Sequence, residues 1–255
     1  MEVDWFAQTP SRIRLEWGRR GAKSAAQRGD ILVVVDALCF STGVALAVSR
    51  GGVVSPCAKG EDTPERAGPL SAEIAVHRDD VPAKGRFSLS PGTFRGVTPG
   101  TRVLLASPNG ATCARYAAQV PALFVGAFVN AKSVADAVAA LMAENAGLAV
   151  TVLACGERWR ERDTDDGDLR FAVEDFLAAG AIVSYLPERL TRSPEATAAV
   201  AAFHAAQYDL PCHLRECGSG IELIERGYSG DVDEAAALNT LSVAPVLQDG
   251  FFTVG

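Results

Sequence analysis

The chain has 255 residues, of which 48% are hydrophobic and 22% charged, and its formal net charge is −7. This composition is typical of a soluble globular protein with a large core, and it argues against a basic surface for nucleic acid. No apolar run approaches the roughly eighteen residues of a membrane span, the N-terminal segment has no signal-peptide core, and the six cysteines show no CxxC spacing. We therefore expect a reduced, cytoplasmic protein that forms one domain over residues 1–255, without membrane or nucleic-acid partners.

The strongest predicted strand covers residues 31–35, because the sequence ILVVV is apolar throughout and rich in β-branched residues. Asp36 follows it directly, and Ser41 and Thr42 open a predicted helix over residues 41–50. Open α/β sheets hold their functional groups between the carboxyl end of a strand and the N-terminus of the next helix. Two interpretations of Asp36 therefore stand side by side: a functional carboxylate and a cap of the following helix.

Strands and helices alternate along the rest of the chain. Further strands are predicted over residues 52–56, 101–106, 122–127 and 148–154, and further helices over residues 113–119, 131–145, 169–186, 194–207, 221–226 and 232–238. This alternation predicts an α/β fold with three layers, α/β/α, around a mainly parallel or mixed sheet. Residues 57–99 are predicted as a loop-rich insertion. The C-terminal hairpin around Asp249-Gly250 and an early strand within residues 12–17 are predicted as antiparallel additions at an edge.

The segment SPNGAT, residues 107–112, follows a predicted strand and contains a second group of candidate site residues. Pro108 and Asn109-Gly110 predict a turn, and Thr112 can cap the next helix. Such a turn leaves backbone N–H groups free to bind phosphate oxygens. An ordinary strand-to-helix turn is the alternative, and the spacing alone favours it.

Glu174 and Asp175 are adjacent acids in the otherwise apolar segment AVEDFLAAGAIV. A helix that is apolar nearly all round is buried, so the two carboxylates need a metal ion, an arginine or backbone donors as partners. A favourable interaction with the helix dipole is the alternative. Mg²⁺ is the expected metal, because it prefers hard oxygen ligands. The chain has no GxSxG elbow and no glycine-rich nucleotide fingerprint, and Cys39 lacks the downstream arginine of a cysteine phosphatase loop.

Four segments, in the same order along residues 31–252, resemble those of a known family. They are VVVDALCFST, SPNGAT, LACGERW with the later LRFAVEDFLAAGA, and the tail that begins CGSGIELIERGYSGD. Together they resemble the 2-phosphosulfolactate phosphatases. The resemblance implies a magnesium-dependent enzyme with a three-layer α/β fold that removes phosphate from 2-phospho-3-sulfolactate. Members of that family are usually oligomeric, so the resemblance implies a homodimer as well.

Two family arginines are missing from this chain. Cys39 stands where the family motif DVLRAST has an arginine, and Ser71-Ala-Glu73 lacks the arginine of the family's GER-like segment. The loop between Gly156 and Phe171 is also longer than its family counterpart. The candidates to replace the missing cations are Arg158, Arg78, Arg170 and Lys132.

The expected activity is the magnesium-dependent hydrolysis of a small phosphorylated organic acid similar to 2-phosphosulfolactate. The residues expected to hold the metal and carry catalysis are Asp36, Glu174 and Asp175. Those expected to bind the substrate and its phosphate are Ser41, Thr42, Asn109, Gly110, Thr112 and Arg158. Attack on phosphorus by Asp36 and attack by a metal-bound water are both open. The alternative function is a non-catalytic anion-binding or regulatory protein on the same fold.

Overall fold

The computed structural model describes residues 5–159 and 168–255. Within these ranges the strands are β1 (Ile13–Trp17), β2 (Ile31–Val35), β3 (Val53–Ala58), β4 (Glu73–Ile74), β5 (Arg102–Ser107), β6 (Leu123–Val125), β7 (Val150–Ala154), β8 (Glu157–Arg158), β9 (Leu169–Arg170), β10 (Pro245–Gln248) and β11 (Phe251–Val254). The α-helices in the same ranges are α1 (Gly18–Arg28), α2 (Phe40–Ser49), α3 (Thr63–Leu70), α4 (Gly110–Tyr116), α5 (Ala131–Glu144), α6 (Val173–Tyr185), α7 (Pro194–Ala206), α8 (Leu210–Glu216), α9 (Gly218–Glu225) and α10 (Ser229–Ala235).

The main sheet has the strand order β1-β7-β2-β6-β10-β11-β3-β5-β4. Strands β1, β7, β2 and β6 are parallel to one another, as are β3, β5 and β4, and the antiparallel hairpin β10–β11 joins the two groups. The prediction of antiparallel additions at an edge is therefore wrong. The hairpin is central, which buries Val246 and Phe252, and β1 is an edge strand that pairs in parallel with β7.

The accumulated twist of the sheet explains how distant strands reach one site. Three antiparallel pairings lie between β2 and β5, so these strands would end at opposite edges of a flat sheet. A twist of about 20–25° at each strand-to-strand step accumulates to about 100° or more between them. Hydrogen bonds between Asp36, after β2, and Ser107 and Gly110, at the end of β5, show that the two strand ends meet.

Helices cover both faces of the sheet. In β2, the side chains of Ile31, Val33 and Val35 belong to the core shared with α5, α6 and α7, whereas Leu32 and Val34 belong to the core shared with α1, α2 and α4. All five side chains are buried, because successive strand residues point to opposite faces and each face has its own helical layer. The expected three-layer α/β/α fold with a mixed sheet is confirmed.

Several helices differ from the sequence prediction; α8 (Leu210–Glu216), for example, was not predicted. Residues 18–28, for which the polar composition predicts no element, form α1, because Gly18, Gly21, Ala22 and Ala25 make a narrow buried face at helical spacing. The predicted helix around α6 starts too early, because β9 precedes it and pairs with β8 in a small separate hairpin. In the part of the chain that the structure describes, no helix has the length and apolar character needed to cross a membrane.

The segment of residues 57–99 contains more regular structure than expected. It includes α3 and the short strand β4, which pairs in parallel with β5. Two 3-10 turns, Arg78–Asp80 and Pro91–Gly96, follow. Arg78 and Leu89 from this segment line the cavity described below, so the insertion contributes directly to the candidate site.

Close packing against α7 fixes α6, the helix that carries Glu174 and Asp175. A methyl group at Gly180 would overlap the carbonyl oxygen of Ala199 in α7. We therefore expect Gly180→Ala to lower the free energy of unfolding by about 1–3 kcal/mol, the usual cost of overpacking a core. Urea denaturation measures this change. Gly68→Ala is the control, since no atom would lie within 4 Å of its methyl group, and equal effects of the two variants would contradict the explanation.

Candidate active site

A cavity of about 240 Å³ lies where β2, β5 and β7 end. Its wall includes the first residues of α6 and part of α9, together with residues of the 57–99 segment. Five carboxylates line it: Asp36, Glu157, Glu174, Asp175 and Glu222. Two arginines also line it, Arg78 and Arg226. The cavity is therefore small and strongly charged, which suits a small polar ligand with only a few anchoring groups.

Asp36 is held between the N-termini of two helices. Its Oδ2 accepts hydrogen bonds from the N–H of Gly110 in α4 (2.9 Å) and from the hydroxyl of Ser107 (3.3 Å). The carboxylate also accepts a hydrogen bond from the N–H of Phe40, the first residue of α2. Glycine is needed at position 110, because a Cβ there would lie 2.9 Å from Asp36 Oδ2. Asp36 thus caps both helices and at the same time lines the cavity.

The carboxylates of the cavity act on one another electrostatically. Burial raises the pKa of Asp36 above its ordinary value, and the negative charge of Glu174 raises it further, while the three hydrogen-bond donors lower it. Burial also raises the pKa values of Glu157 and Asp175, and the charge of Asp36 adds to both shifts. A group of buried, mutually repelling carboxylates is stabilised by a cation, which is the electrostatic condition for a metal site.

The hydroxyl groups of Ser41, Thr42 and Thr112 are buried behind the cavity wall and bind the main chain. Ser41 Oγ accepts a hydrogen bond from the N–H of Asp36 at 2.9 Å. Thr42 and Thr112 each donate to the carbonyl oxygen five residues earlier, at 2.6 and 2.8 Å. The structure therefore places these three candidate substrate-binding residues in the turns that shape the site.

Asp175 joins the loops that follow β2 and β7. Its Oδ1 accepts from the N–H of Ala37 at 2.8 Å, its Oδ2 accepts from the N–H of Gly156 at 2.9 Å, and the residue is only 4% exposed. Of the three kinds of partner expected for this buried carboxylate, the structure shows backbone N–H donors. A carboxylate can accept about four hydrogen bonds or metal contacts, so these two bonds do not exhaust its capacity.

Replacement of Asp175 by asparagine is expected to destabilise the fold. The side-chain amide of an asparagine offers one acceptor oxygen, so either the Ala37 or the Gly156 N–H would face an NH₂ group instead. We expect the free energy of unfolding to fall by about 1–3 kcal/mol, the cost of a buried donor without a partner. Urea denaturation measures it, with the exposed Asp233→Asn as control. Unchanged stability in Asp175→Asn would contradict this role.

Glu174 and Glu157 line the cavity from α6 and from the loop after β7. Glu174 is 4% exposed and lies near Cys217, whose thiol donates to the carbonyl oxygen of Leu214 at 3.2 Å. Burial and the negative charge of Glu174 raise the pKa of that thiol to about 12. Glu157 accepts from the side chain of Asn109 at 3.2 Å and from the N–H of Arg158 at 3.1 Å. Among the described residues, no three or more His, Cys, Asp or Glu side chains are already arranged as a metal site. Mg²⁺ commonly uses only one or two carboxylates and keeps several waters, so a pair of carboxylates is sufficient.

Arg78 places a guanidinium group beside Cys39. Its Nη2 donates to Cys39 Sγ at 2.9 Å and to the carbonyl oxygen of Leu89 at 3.2 Å, and its Nε donates to Asp231 at 3.3 Å. Burial raises the pKa of Cys39 to about 12, so the thiol stays protonated near neutral pH and is a poor nucleophile. A cation therefore lies next to Cys39, although the chain has no arginine at position 39.

The other three candidate cations lie outside the cavity wall. Arg158 donates to the side-chain oxygen of Asn109 at 3.3 Å and pairs with Asp168 at 2.6 Å. It therefore fixes the orientation of the Asn109 side chain without lining the cavity itself. Lys132 pairs with an exposed aspartate, and Arg170 packs on an aromatic ring. Asn109 itself lines the cavity. Residues 160–167, in the loop that is longer than its family counterpart, lie outside the described residues.

Four polar residues of the cavity wall were not singled out from the sequence: Glu157, Ser219, Glu222 and Arg226. Glu157 follows a strand end just as Asp36 does, so the rule that identified Asp36 also applies to it. The signal for Ser219 was the segment CGSG, because glycines at a helix start allow a ligand to approach the backbone. Nothing in the helical pattern marks Glu222 and Arg226, which are exposed positions of α9 and its C-terminal end.

The fold and the cavity define an α/β protein with an acidic cavity at the ends of its strands. A sequence model of the family described as 2-phosphosulpholactate phosphatase matches residues 20–250. The chain therefore belongs to the 2-phosphosulfolactate phosphatase family. The expected enzyme class, a phosphoric monoester hydrolase, is confirmed by this membership.

Individual relatives agree with the family match. A protein of Carboxydothermus hydrogenoformans is 30% identical over 226 residues, which cover 86% of this chain and 87% of the relative. A protein of Deinococcus radiodurans is 31% identical over 157 residues, 61% of this chain and 60% of the relative. A protein of Prochlorococcus marinus is 25% identical over 229 residues, 85% of this chain and 88% of the relative. Each is named as a probable 2-phosphosulfolactate phosphatase.

Proposed function

We propose that this protein is a magnesium-dependent phosphatase that hydrolyses a small phosphorylated organic acid of the 2-phosphosulfolactate type. The observation that carries the proposal is the position of Asp36, whose carboxylate is held by the N-termini of α2 and α4 and lines a charged cavity of about 240 Å³. The names of the relatives support the substrate class. The cavity volume supports a small metabolite as substrate.

The N-terminus of α9 is the phosphate-binding element in this proposal. Ser219 lies in its first turn, lines the cavity, and has a buried hydroxyl oxygen with no hydrogen-bond partner in the described residues. Helix N-termini attract anions through the helix dipole and the donors of their first turn. In α9 the Gly220 N–H already donates to Cys217 Sγ at 3.3 Å, so the Ser219 hydroxyl is the donor proposed for the phosphate. The N–H groups of Asn109 and Gly110, which the sequence suggests for this role, already donate to Ser107 Oγ and Asp36 Oδ2. The N–H of Ser41 likewise donates to the main-chain carbonyl oxygen of Asp36. The role is therefore assigned to α9.

Asp36 and Glu174 are the proposed ligands of Mg²⁺. The fit rests on the chemistry of the donors: both residues line the cavity, and the charge of Glu174 raises the pKa of Asp36, as expected for two carboxylates that a cation would stabilise together. When bound, Mg²⁺ neutralises negative charge on the phosphate and on the transition state. Asp175 links the loop after Asp36 and the loop after β7 to α6, the helix that carries Glu174.

Asp36 is the group that contacts the reacting phosphoryl group in the proposed mechanism. Its hydrogen bonds to Gly110 and Ser107 fix its orientation, so little reorganisation is required during the reaction. A carboxylate so placed can attack phosphorus directly, which displaces the alcohol and forms an aspartyl phosphate, or it can take a proton from an attacking water. Acid quenching during turnover distinguishes the two routes, because aspartyl phosphate forms only in the first.

A panel of three phosphate esters tests the proposed function. The panel contains 2-phosphosulfolactate, 2-phospholactate and glycerol 2-phosphate, each incubated with the purified protein and Mg²⁺ while phosphate release is measured. We expect release from at least the first, with kcat/KM falling along the series as acidic groups are removed. Binding of 2-phosphosulfolactate without release of phosphate would contradict the proposal and support the non-catalytic alternative.

A further inference from the structure

We propose that Arg78 binds the second acidic group of the substrate, a sulfonate or a carboxylate, and that Asp231 is the positioning residue that holds Arg78 in place. The inference rests on the proposed function of the same cavity and names its specificity-determining cation. The carboxylates after β2 and β7 and at the start of α6 make one part of the cavity wall anionic. Arg78 contributes a cation from the 57–99 segment, next to Leu89 and α10.

The guanidinium group of Arg78 is anchored to the protein through Nε and Nη2, and Arg78 lines the cavity. Its side chain is only 12% exposed, and the hydrogen bonds to Asp231, Cys39 and Leu89 use Nε and Nη2. A guanidinium has five N–H donors, so the two on Nη1 remain for a ligand; in the described residues Nη1 has no hydrogen-bond partner. The neutral thiol of Cys39 supplies no counter-charge, and Asp231 is the carboxylate that pairs with Arg78.

Asp231 is itself fixed, which makes Arg78 a preorganised group. The Asp231 side chain is 6% exposed, and its second oxygen accepts a hydrogen bond from the hydroxyl of Ser90. The ring of Tyr228 lies 5.5 Å from the guanidinium carbon of Arg78 and adds a cation–π contact. A group held in this way loses little conformational entropy when it binds a ligand.

An acidic group is the ligand that this arrangement fits best. The planar guanidinium matches the paired oxygens of a sulfonate or carboxylate, with which it forms charge-assisted hydrogen bonds. Arg226, the other arginine of the cavity wall, is much more exposed and pairs with Glu222 along α9 at 3.4 Å. We therefore assign recognition of the acidic group to Arg78 and place Arg226 at the rim of the cavity.

Steady-state kinetics with Arg78→Gln tests the assignment. We expect the ratio of kcat/KM for 2-phosphosulfolactate to that for glycerol 2-phosphate to fall by about 10- to 100-fold, the effect of losing a charge-assisted hydrogen bond, and KM to account for most of it. Asp231→Asn should shift the same ratio in the same direction by a smaller factor. An equal loss for 2-phospholactate identifies the carboxylate as the group bound, whereas a loss confined to 2-phosphosulfolactate identifies the sulfonate.

Arg86→Gln is the matched control, because Arg86 belongs to the same segment, is exposed, and pairs with Glu73 on the surface. An Arg78→Gln ratio equal to that of the wild type would overturn the inference while the phosphatase function stands. If no ester is hydrolysed, calorimetric titration with sulfolactate still decides: weaker binding by Arg78→Gln than by Arg86→Gln supports the inference. Equal binding by the two variants, or no binding by the wild type, overturns it.

Discussion

Asp36→Asn is expected to reduce phosphate release by at least about 10³-fold, in the range observed when a group that contacts the reacting centre is removed. The amide is uncharged, so it is a poor ligand for Mg²⁺, a poor nucleophile and a poor proton acceptor. The loss should appear in kcat at saturating Mg²⁺ and substrate. Addition of more Mg²⁺ should not restore the rate, because the missing carboxylate contacts the phosphoryl group itself.

The fold should tolerate this substitution. The side-chain carbonyl oxygen of the substituted asparagine can take the Oδ2 position and still accept from both the Gly110 N–H and the Ser107 hydroxyl. The Phe40 N–H, which also donates to the Asp36 carboxylate, is the bond at risk, so the free energy of unfolding should fall by no more than about 1–3 kcal/mol. Urea denaturation checks that the variant remains folded, and Asp136→Asn serves as control because Asp136 is an exposed aspartate paired with Lys132. Turnover close to that of the wild type in a folded Asp36→Asn protein would exclude Asp36 from the mechanism.

Glu174→Gln is expected to have the second largest effect, and one of a different kind. Without the Glu174 carboxylate the site loses one of its two proposed Mg²⁺ ligands, so the Mg²⁺ concentration for half-maximal activity should rise by at least about 10- to 100-fold, a loss already typical of changes in outer-shell partners. High Mg²⁺ should restore part of the rate, because Asp36 is intact. Recovery with Mg²⁺ therefore distinguishes Glu174→Gln from Asp36→Asn.

Thermal unfolding without substrate provides a readout of metal binding that does not depend on activity. A ligand that binds only the folded state raises the melting temperature, so Mg²⁺ should stabilise the wild-type protein. The same Mg²⁺ concentration should give a smaller shift in Glu174→Gln, whereas the exposed control Glu188→Gln should behave as the wild type does. An identical Mg²⁺ shift in Glu174→Gln and the wild type would contradict the proposed ligand set.

The sequence predicted the strands that are apolar throughout, because burial on both faces leaves a strong local pattern. The five residues of β2 are the clearest case, and Asp36 was identified from its place at the end of that strand. The position of the hairpin β10–β11 was not predictable in this way. Its turn is encoded locally by Asp249-Gly250, but its place between two parallel groups depends on pairing with β6 and β3, which no local pattern specifies.

Among the site residues, too, the local features were predictable from the sequence and the tertiary contacts were not. Residue type and spacing identified the turns that contain Ser41, Thr42 and Thr112, but not the direction of their hydroxyls, which depends on the carbonyl oxygens that each turn brings near. Arg78 was one of four candidate cations in the sequence. Its place in the cavity wall follows from the packing of the 57–99 segment against α10 through Asp231, a contact between residues 153 positions apart.

Phosphate release from 2-phosphosulfolactate by the wild-type protein, measured with Mg²⁺ and again with excess EDTA, tests the central claim most directly. The account predicts steady release with Mg²⁺, loss of release with EDTA, and recovery when Mg²⁺ is added back. Release that is unaffected by EDTA would contradict the magnesium-dependent mechanism, and no release under any of these conditions would contradict the phosphatase function itself.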